Sequence, residues 1–420
     1  MNALKMTHAR ASVKVTCRDI GVLGWRKTSR GETAMPNTTA LLERLIGFDT
    51  VSRHSNLELI AFIETYLAEH DVPCTRIAND DGSKANLLAR IGPEVAGGVV
   101  LSGHTDVVPV DGQPWSSDPF TLTDKGDGRL YGRGSCDMKG FIASALAQVP
   151  QWQALDLQRP IYLAFSYDEE VGCLGAPRLI ERLMADAPTP AAVIVGEPTL
   201  MAPVVAQKGI TNLRTTVTGR EAHSSQVRQG VSAVHVAARL VTRIEDIMAE
   251  LVAEGHVDPL FNVPHSSLHV GKIQGGTAIN IMARECHFDW EIRHLPTDGF
   301  EALFERFQHY AETLMRELRP RAPQIDIHTQ HLTETVPALA DRDNQPALEL
   351  CHALLDDADN EAVAYATEAG QFQHAGLPTV ICGPGSIAQA HQPDEYLEVA
   401  QLDAADAFMA KLGQRLVAPG

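Results

Sequence analysis

No stretch of about 18 consecutive apolar residues occurs in the 420-residue chain, so nothing in it reads as a membrane-spanning helix. Basic residues are in the minority: 35 Lys and Arg stand against 53 Asp and Glu, a net charge of −18. Such a surface repels phosphate backbones, which argues against nucleic acid as a partner. Solubility is its simplest use, although it also suits divalent cations. Paired cysteines are missing too. The seven cysteines are scattered, with no Cys-x-x-Cys, which argues against a disulfide framework or a thiolate zinc site and points to a reducing, cytoplasmic setting. Gly-x-Ser-x-Gly does not occur, nor does an internal repeat or a low-complexity tract. What is present is an ordinary globular balance, 44% hydrophobic and 21% charged, which excludes a largely disordered chain. At roughly 100–200 residues per domain, the length suggests two or three domains.

Residues 1–34 differ from the rest. Lys5, Arg10, Lys14, Arg18, Arg26, Lys27 and Arg30 face only Asp19 and Glu32, a charge of +5 that leaves −23 elsewhere. The segment lacks an apolar core of signal-peptide length. It is expected to be a flexible basic extension, with Met35 a second possible start; an Arg-rich targeting segment is the alternative. Beyond it, Asn37 or Thr38 can cap a helix with Leu41, Leu42, Leu45 and Ile46 on its apolar face. A second helix fits Leu57, Ile60, Ile63 and Leu67.

A pattern then recurs. Short apolar runs end in polar chemistry: Val99 to Leu101 before His104 and Asp106, Ile161 to Phe165 before Asp168, Glu169 and Glu170, Val193 to Val195 before Glu197, and Val380-Ile381 before Gly383 and His391. Runs of this kind suit strands buried on both faces. Helical stretches such as Met138 to Val149 alternate with them, so an α/β sheet is expected, with these polar residues at the carboxyl ends of its strands. From Lys208 to about His331 the texture changes. Leu213, Thr215 and Val217 alternate with polar residues. A long amphipathic helix follows, carrying Val231, Val234, Ala238, Val241, Ile244, Met248 and Leu251. Next come a strand at Leu268 to Ile273 and another with Phe288, Trp290 and Ile292 on one face. A helix near Phe300 to Leu318 and a strand near Ile325 complete a β-α-β-β-α-β order. That order predicts a ferredoxin-like α+β insert of about 120 residues. The predicted organisation is a catalytic domain of residues 35–207 plus 332–420, interrupted by the insert at 208–331.

Singly, a histidine near a strand end or a pair of adjacent glutamates has a bland structural explanation. Recurrence after buried strands raises the odds, because all should meet at one sheet edge. Carboxylates gathered there repel and call for a cation. Nitrogen and oxygen ligands without thiolate suit zinc, with cobalt or manganese as substitutes. Two imidazoles with three carboxylates exceed a three-ligand catalytic zinc and suit two ions sharing a bridging carboxylate.

The stretches Ser-Gly-His-Thr-Asp-Val-Val-Pro, Gly-Arg-Gly-Ser-Cys-Asp-Met-Lys-Gly, Asp-Glu-Glu-Val-Gly and Gly-Glu-Pro-Thr resemble the co-catalytic zinc exopeptidase and deacylase family. That family includes aminoacylase, succinyl-diaminopimelate desuccinylase, glutamate carboxypeptidase and acetylornithine deacetylase. The resemblance covers nearly everything from Met35 on. Within the family, Gly-Ser-Cys-Asp-Met-Lys-Gly-Phe at 134–141, Thr-Glu-Ala-Gly at 367–370 and the run from Gly383 to Tyr396 are most similar to the acetylornithine deacetylase branch. The resemblance implies a two-domain, mixed-sheet catalytic domain with an inserted lid and dimerisation domain. It implies that Asp137 bridges two divalent ions, zinc or cobalt, with His104 and Glu197 completing one site and Glu170 and His391 the other. Asp106 would accept a hydrogen bond from the His104 ring and fix its tautomer. The residues alone do not decide which of Glu169 and Glu170 is general base and which is ligand; the resemblance makes Glu169 the base. Cys136 reads as a small residue packed beside the site. A cis peptide between Asp137 and Met138 is also implied.

In the insert, His223 matches a histidine that assists the oxyanion, with a plain turn residue as the alternative. The resemblance places Asn280 and Arg293 at positions that hold the substrate carboxylate, a task suited to an Arg fork. A strand-face ion pair of Arg293 with Asp289 or Glu291 is equally open. Amides of Gly383 and Gly385 are candidates for substrate contact. Ala283 stands where the family often has Pro. The implied activity is metal-dependent hydrolysis of N-acetyl-L-ornithine to ornithine and acetate in arginine synthesis, by a homodimer paired through its inserts. Alternatives are a desuccinylase or other deacylase, a dipeptidase, and, from another class, a non-catalytic amino-acid-binding relative. The intact Glu169 beside intact ligands disfavours the last.

Overall fold

The computed structural model describes residues 37–355 and 359–417. The expected basic extension therefore lies outside the described residues. Those residues belong to one compact unit. The chain opens with α1 (Thr38–Ile46) and α2 (Leu57–Glu69). Asn37 is the cap of α1, its side chain accepting the Thr39 amide at 2.9 Å. The first strands are β1 (Cys74–Ala78), β2 (Ala85–Ile91), β3 (Val99–His104), β4 (Thr123–Asp124) and β5 (Arg129–Tyr131). Then come α3 (Gly140–Ala154), β6 (Ile161–Ser166), α4 (Ala176–Asp186), β7 (Ala192–Val195) and β8 (Val204–Gln207). The next elements are β9 (Gly209–Thr218), α5 (Ala233–Ala253), β10 (Ser267–Gly275), β11 (Glu285–His294), α6 (Phe300–Leu318) and β12 (Asp326–His331). The chain closes with α7 (Gln345–Leu354), β13 (Glu361–Val363), α8 (Ala369–His374), β14 (Thr379–Ile381), β15 (Tyr396–Glu398) and α9 (Val399–Val417).

The expected mixed α/β sheet has eight strands in the order β1-β2-β6-β3-β7-β14-β8-β13. Its centre, β6-β3-β7-β14, is parallel throughout. Every residue of β3, β6 and β7 is buried, because helices cover both faces. One hydrophobic cluster joins α1, α2, α3 and α9 to one side of the sheet; a second, around Leu179, Leu183, Phe372 and Leu377, fills the other. Four adjacent parallel strands all end on the same side, and this sets the place where the polar residues that follow them collect.

A separate four-stranded antiparallel sheet, ordered β10-β11-β9-β12, comes from residues 209–331 and has its own hydrophobic cluster with α5 and α6. Alternation is strict in β9 and β11: Leu213, Thr215 and Val217 are buried, as are Phe288, Trp290 and Ile292. The buried stripe of α5 differs from the expected one. It runs through Ala233, Val236, Ala237, Leu240, Ile244, Ile247 and Leu251. Val234, Val241 and Met248 only flank it, Ala238 is exposed, and Val231 precedes the helix. The apolar face is wide, and packing on the sheet selects its centre rather than its edge. Similarly, α3 begins at Gly140 rather than Met138. Asp137 and Met138 have non-helical dihedrals and the peptide between them is cis.

Candidate metal centre

His104 is the last residue of β3, and Glu197 lies two residues beyond β7. Glu169 and Glu170 follow β6, Asp137 sits in the turn before α3, and His391 in the loop between β14 and β15. The parallel centre of the sheet brings five of these together. The Nε2 of His104 is 3.0 Å from Asp137 Oδ1 and 3.7 Å from Glu197 Oε1. His391 Nε2 is 3.2 Å from Asp137 Oδ2 and 3.1 Å from Glu170 Oε2. The two oxygens of Asp137 thus face different imidazoles. They define two triads, His104–Asp137–Glu197 and Asp137–Glu170–His391, each with its potential ligand atoms within 4.8 Å of one another.

Electrostatics follow from this crowding. Burial drives the Glu169 and Glu197 carboxyls well above their usual range, with neighbouring carboxylates adding to it. Burial and the charge of Asp137 push Glu170 up to about 7. Burial works against the charged form of Asp137 as well, but hydrogen bonds from His104 and His391 hold its carboxyl below the ordinary value. Hydrogen bonds to Asp137 and Glu170 raise His391 to about 10. His104 is raised as well, against its burial, by the hydrogen bond to Asp137. In the protein alone, imidazolium protons balance the carboxylates. Divalent cations fit the same place: Glu170 Oε1 is buried without a hydrogen-bond partner, and the donor set is all nitrogen and oxygen.

The expectation for Asp106 needs correction. The Nδ1 of His104 donates to the main-chain carbonyl of Asp106 at 2.9 Å, while the carboxylate stands 3.7 Å away. A carbonyl fixes the tautomer equally well and leaves Nε2 free to ligate. The carboxylate instead accepts the Ser52 hydroxyl at 2.6 Å and the amides of Glu169 and Glu170 at 3.1 and 3.3 Å. It holds the turn that carries the expected base and ligand. Glu169 also receives the Cys173 thiol at 3.3 Å.

Among the described residues, no hydrogen bond or ion pair links His223, Asn280 or Arg293 to this cluster. His223 is exposed, and its ring nitrogen Nδ1 meets the Ser225 hydroxyl at 2.8 Å. Asn280 is exposed, its carbonyl accepting the Ser224 amide. Arg293 forms the strand-face ion pair with Glu291, Nε to Oε1 at 2.8 Å, and reaches the Ala364 carbonyl at 3.4 Å. The candidate glycine amides are otherwise engaged. Gly383 donates to Thr199 Oγ1 at 3.2 Å and Gly385 to Gln401 Oε1 at 3.1 Å. Gly385 is required for another reason: its φ is +86° and a Cβ there would lie 2.5 Å from the Cys136 sulfur.

Four buried charges around the site escaped sequence reasoning. Glu368 accepts from Ser102 at 3.1 Å and from Ser166, which ties the N-terminus of α8 to β3 and β6. Lys139 donates to the carbonyls of Leu45 and Phe48 at the end of α1, at 2.9 and 3.0 Å, and burial lowers it to about 7. Glu395 pairs with Arg133. Each stands inside a stretch that carries the resemblance, and that position was the available signal. A charge in a motif reads as a site residue or a solvated one; only packing reveals a buried clamp.

Residues 100–415 match the model of peptidase family M20/M25/M40. An acetylornithine deacetylase of Edwardsiella ictaluri is 34% identical over 380 residues, 87% of this chain and 94% of the relative. One from Shigella sonnei is 36% identical over 351 residues, 82% of this chain and 87% of the relative. Among solved structures, a tripeptidase from Staphylococcus aureus shares the fold with a TM-score of 0.72 at 19% identity, covering 91% of this chain and all of that one. A metallo-carboxypeptidase from Sulfolobus solfataricus does so at 0.69 and 16%, again over 91% of this chain and all of that one. With the family model spanning most of the chain and close relatives covering nearly its whole length, the chain belongs to peptidase family M20/M25/M40.

Proposed function

We propose that this hydrolase removes the acetyl group from N-acetyl-L-ornithine, giving L-ornithine and acetate in arginine synthesis. The observation that carries the two-ion chemistry is Asp137, whose oxygens face His104 on one side and His391 on the other. The identity to acetylornithine deacetylases over most of the chain supports the substrate. His104, Asp137 and Glu197 would hold one ion, and Asp137, Glu170 and His391 the second, zinc or cobalt by the chemistry of the donors. When bound, such a pair polarises the acyl carbonyl and lowers the pKa of water towards neutrality. Glu169, half-buried and held through its amide by Asp106, would accept the proton of the attacking water. The same carboxyl then returns that proton to the departing amine. No serine or cysteine nucleophile enters; the Cys136 thiol is buried against Ser386 and Gln389, and burial raises it out of the reactive range.

Residues 208–331 serve in this reading as a lid and dimerisation domain. Edge strand β10 and the loop after it expose Ile273, Ile279 and Ile281, and an open apolar edge favours pairing with a second copy. His223, with no hydrogen bond to its own chain's cluster among the described residues, would then act across the dimer. The six described cysteines are all free, which supports a reducing cytoplasm. Among the described residues no helix is long and apolar enough to cross a membrane. Acetate release from N-acetyl-L-ornithine, set beside cleavage of succinyl-diaminopimelate and of dipeptides, tests the assignment. Faster cleavage of either rival would reassign the substrate within the family.

A further inference from the structure

The two triads are not held alike. His104 ends β3, and the segment leading to Glu197 is pinned to the same strand by the Gly196 amide on the Ser102 carbonyl at 3.0 Å. The second triad depends on loops. His391 sits at φ +63° with its side chain 50% exposed, and Asp137 lies in the turn before α3. What joins these two loops is Glu395, whose side chain is 0% exposed. One of its oxygens accepts the amides of Cys136 and Asp137 at 2.9 and 3.0 Å. The other accepts the Gly134 amide at 3.1 Å and Arg133 Nη1 at 2.6 Å. A second bridge runs through Gln113. Arg133 Nη2 donates to its Oε1 at 2.6 Å, and its Nε2 donates to the His391 carbonyl at 2.9 Å.

Resting on the two-ion reading above, we propose that Glu395 and Gln113 are positioning residues that couple Asp137 to His391 and so set the affinity of the second ion more than that of the first. A buried carboxylate that accepts three consecutive-loop amides and an arginine fixes the path of the Asp137 turn. Four residues earlier on the same segment, His391 is thereby placed opposite Asp137 Oδ2, the oxygen that does not face His104. Gln113 fixes the other side of the His391 backbone. A glutamine at 395 has one accepting oxygen, so its NH2 would face either the two amides or the arginine with no acceptor between them. The ligand set would be unchanged; only its preorganisation would be lost.

The test uses the full chain, stripped with a chelator and titrated with cobalt(II) chloride. Calorimetry reads the stoichiometry, and visible absorption reads the coordination of each ion. Wild type should take two ions. Glu395→Gln should keep the first and bind the second about 10- to 100-fold more weakly, the usual effect of losing a residue that orients a ligand. Gln113→Ala, on a partly buried loop and without risk to the core, should weaken the second ion in the same way and decides the matter should Glu395→Gln not fold. Two ions bound with wild-type affinity in Gln113→Ala would overturn the inference, and so would equal weakening of both ions. Fewer than two ions in the wild type would overturn the two-ion reading itself, and the inference with it.

Discussion

Removing bound metal should make the stability of this protein fall as the pH rises through neutrality. Glu170 carries the share of the effect that falls in this window, and Glu169, Glu197 and His104, also raised, act with the same sign. Burial and the neighbouring Asp137 charge move Glu170 from 4.5 to about 7, so between those values the folded chain keeps a proton that the unfolded chain has released. Stability from a raised group is fully present below its unfolded value and is lost as the pH climbs through the folded one. A shift of that size corresponds to roughly 3 kcal/mol. His391, raised from 6.5 to about 10, acts with the same sign over the higher window; its side chain is half exposed, and water screens much of that contribution. Asp137 is depressed below 3.8, so its contribution is present throughout this range and is lost only in stronger acid. Bound cations take over the role of the protons, so the loaded protein should lack the slope. The measurement is the unfolding free energy of chelator-treated protein between about pH 5 and pH 8, repeated with metal restored. Glu170→Gln removes the titrating carboxyl, and the wild-type slope minus that of the variant isolates its share. A metal-free wild type whose stability stays flat or rises across this window, in parallel with Glu170→Gln, would refute the reasoning.

Three further outcomes are expected. Glu169→Gln should keep its metal content and lose turnover by about 10²- to 10⁴-fold, since an amide cannot shuttle a proton; near-normal turnover alongside full occupancy would remove Glu169 from the mechanism. Asp106→Ala leaves the carbonyl that fixes the His104 tautomer but frees the Glu169–Glu170 turn, so kcat should fall while the first ion still binds, as metal analysis with steady-state kinetics can show. Mixing inactive His223→Ala and Glu169→Gln subunits should restore one working site per heterodimer if the histidine acts across the dimer; heterodimers without recovered activity would assign His223 to its own chain or to structure.

Much of the chemistry was legible because it is local. Buried parallel strands need unbroken apolar runs, so each run announces its own end, and His104, Glu170, Glu197 and His391 follow such ends. The order of elements in residues 209–331 could be read for the same reason, since period two and period three-and-a-half are written into β9, β11 and α5. Periodicity did not settle which part of a wide apolar face turns inward. In α5 that depended on the sheet beneath it, and the stripe through Ala233, Leu240 and Ile247 was chosen by packing.

Contacts between segments distant in sequence belonged to the tertiary structure alone. A motif says that Asp106 stands near His104; it cannot say that the carboxylate turns away to hold the amides of residues 169 and 170, more than sixty positions later. Glu395 looks like any surface glutamate until it is found buried under the amides of the Asp137 turn. The physical reason is the same in each case. A side chain's intrinsic chemistry is a property of its residue type, and its periodicity is a property of its neighbours in sequence. Its hydrogen-bond partners and its desolvation depend on which remote atoms the folded chain brings within about 3 Å, and no local pattern records that choice.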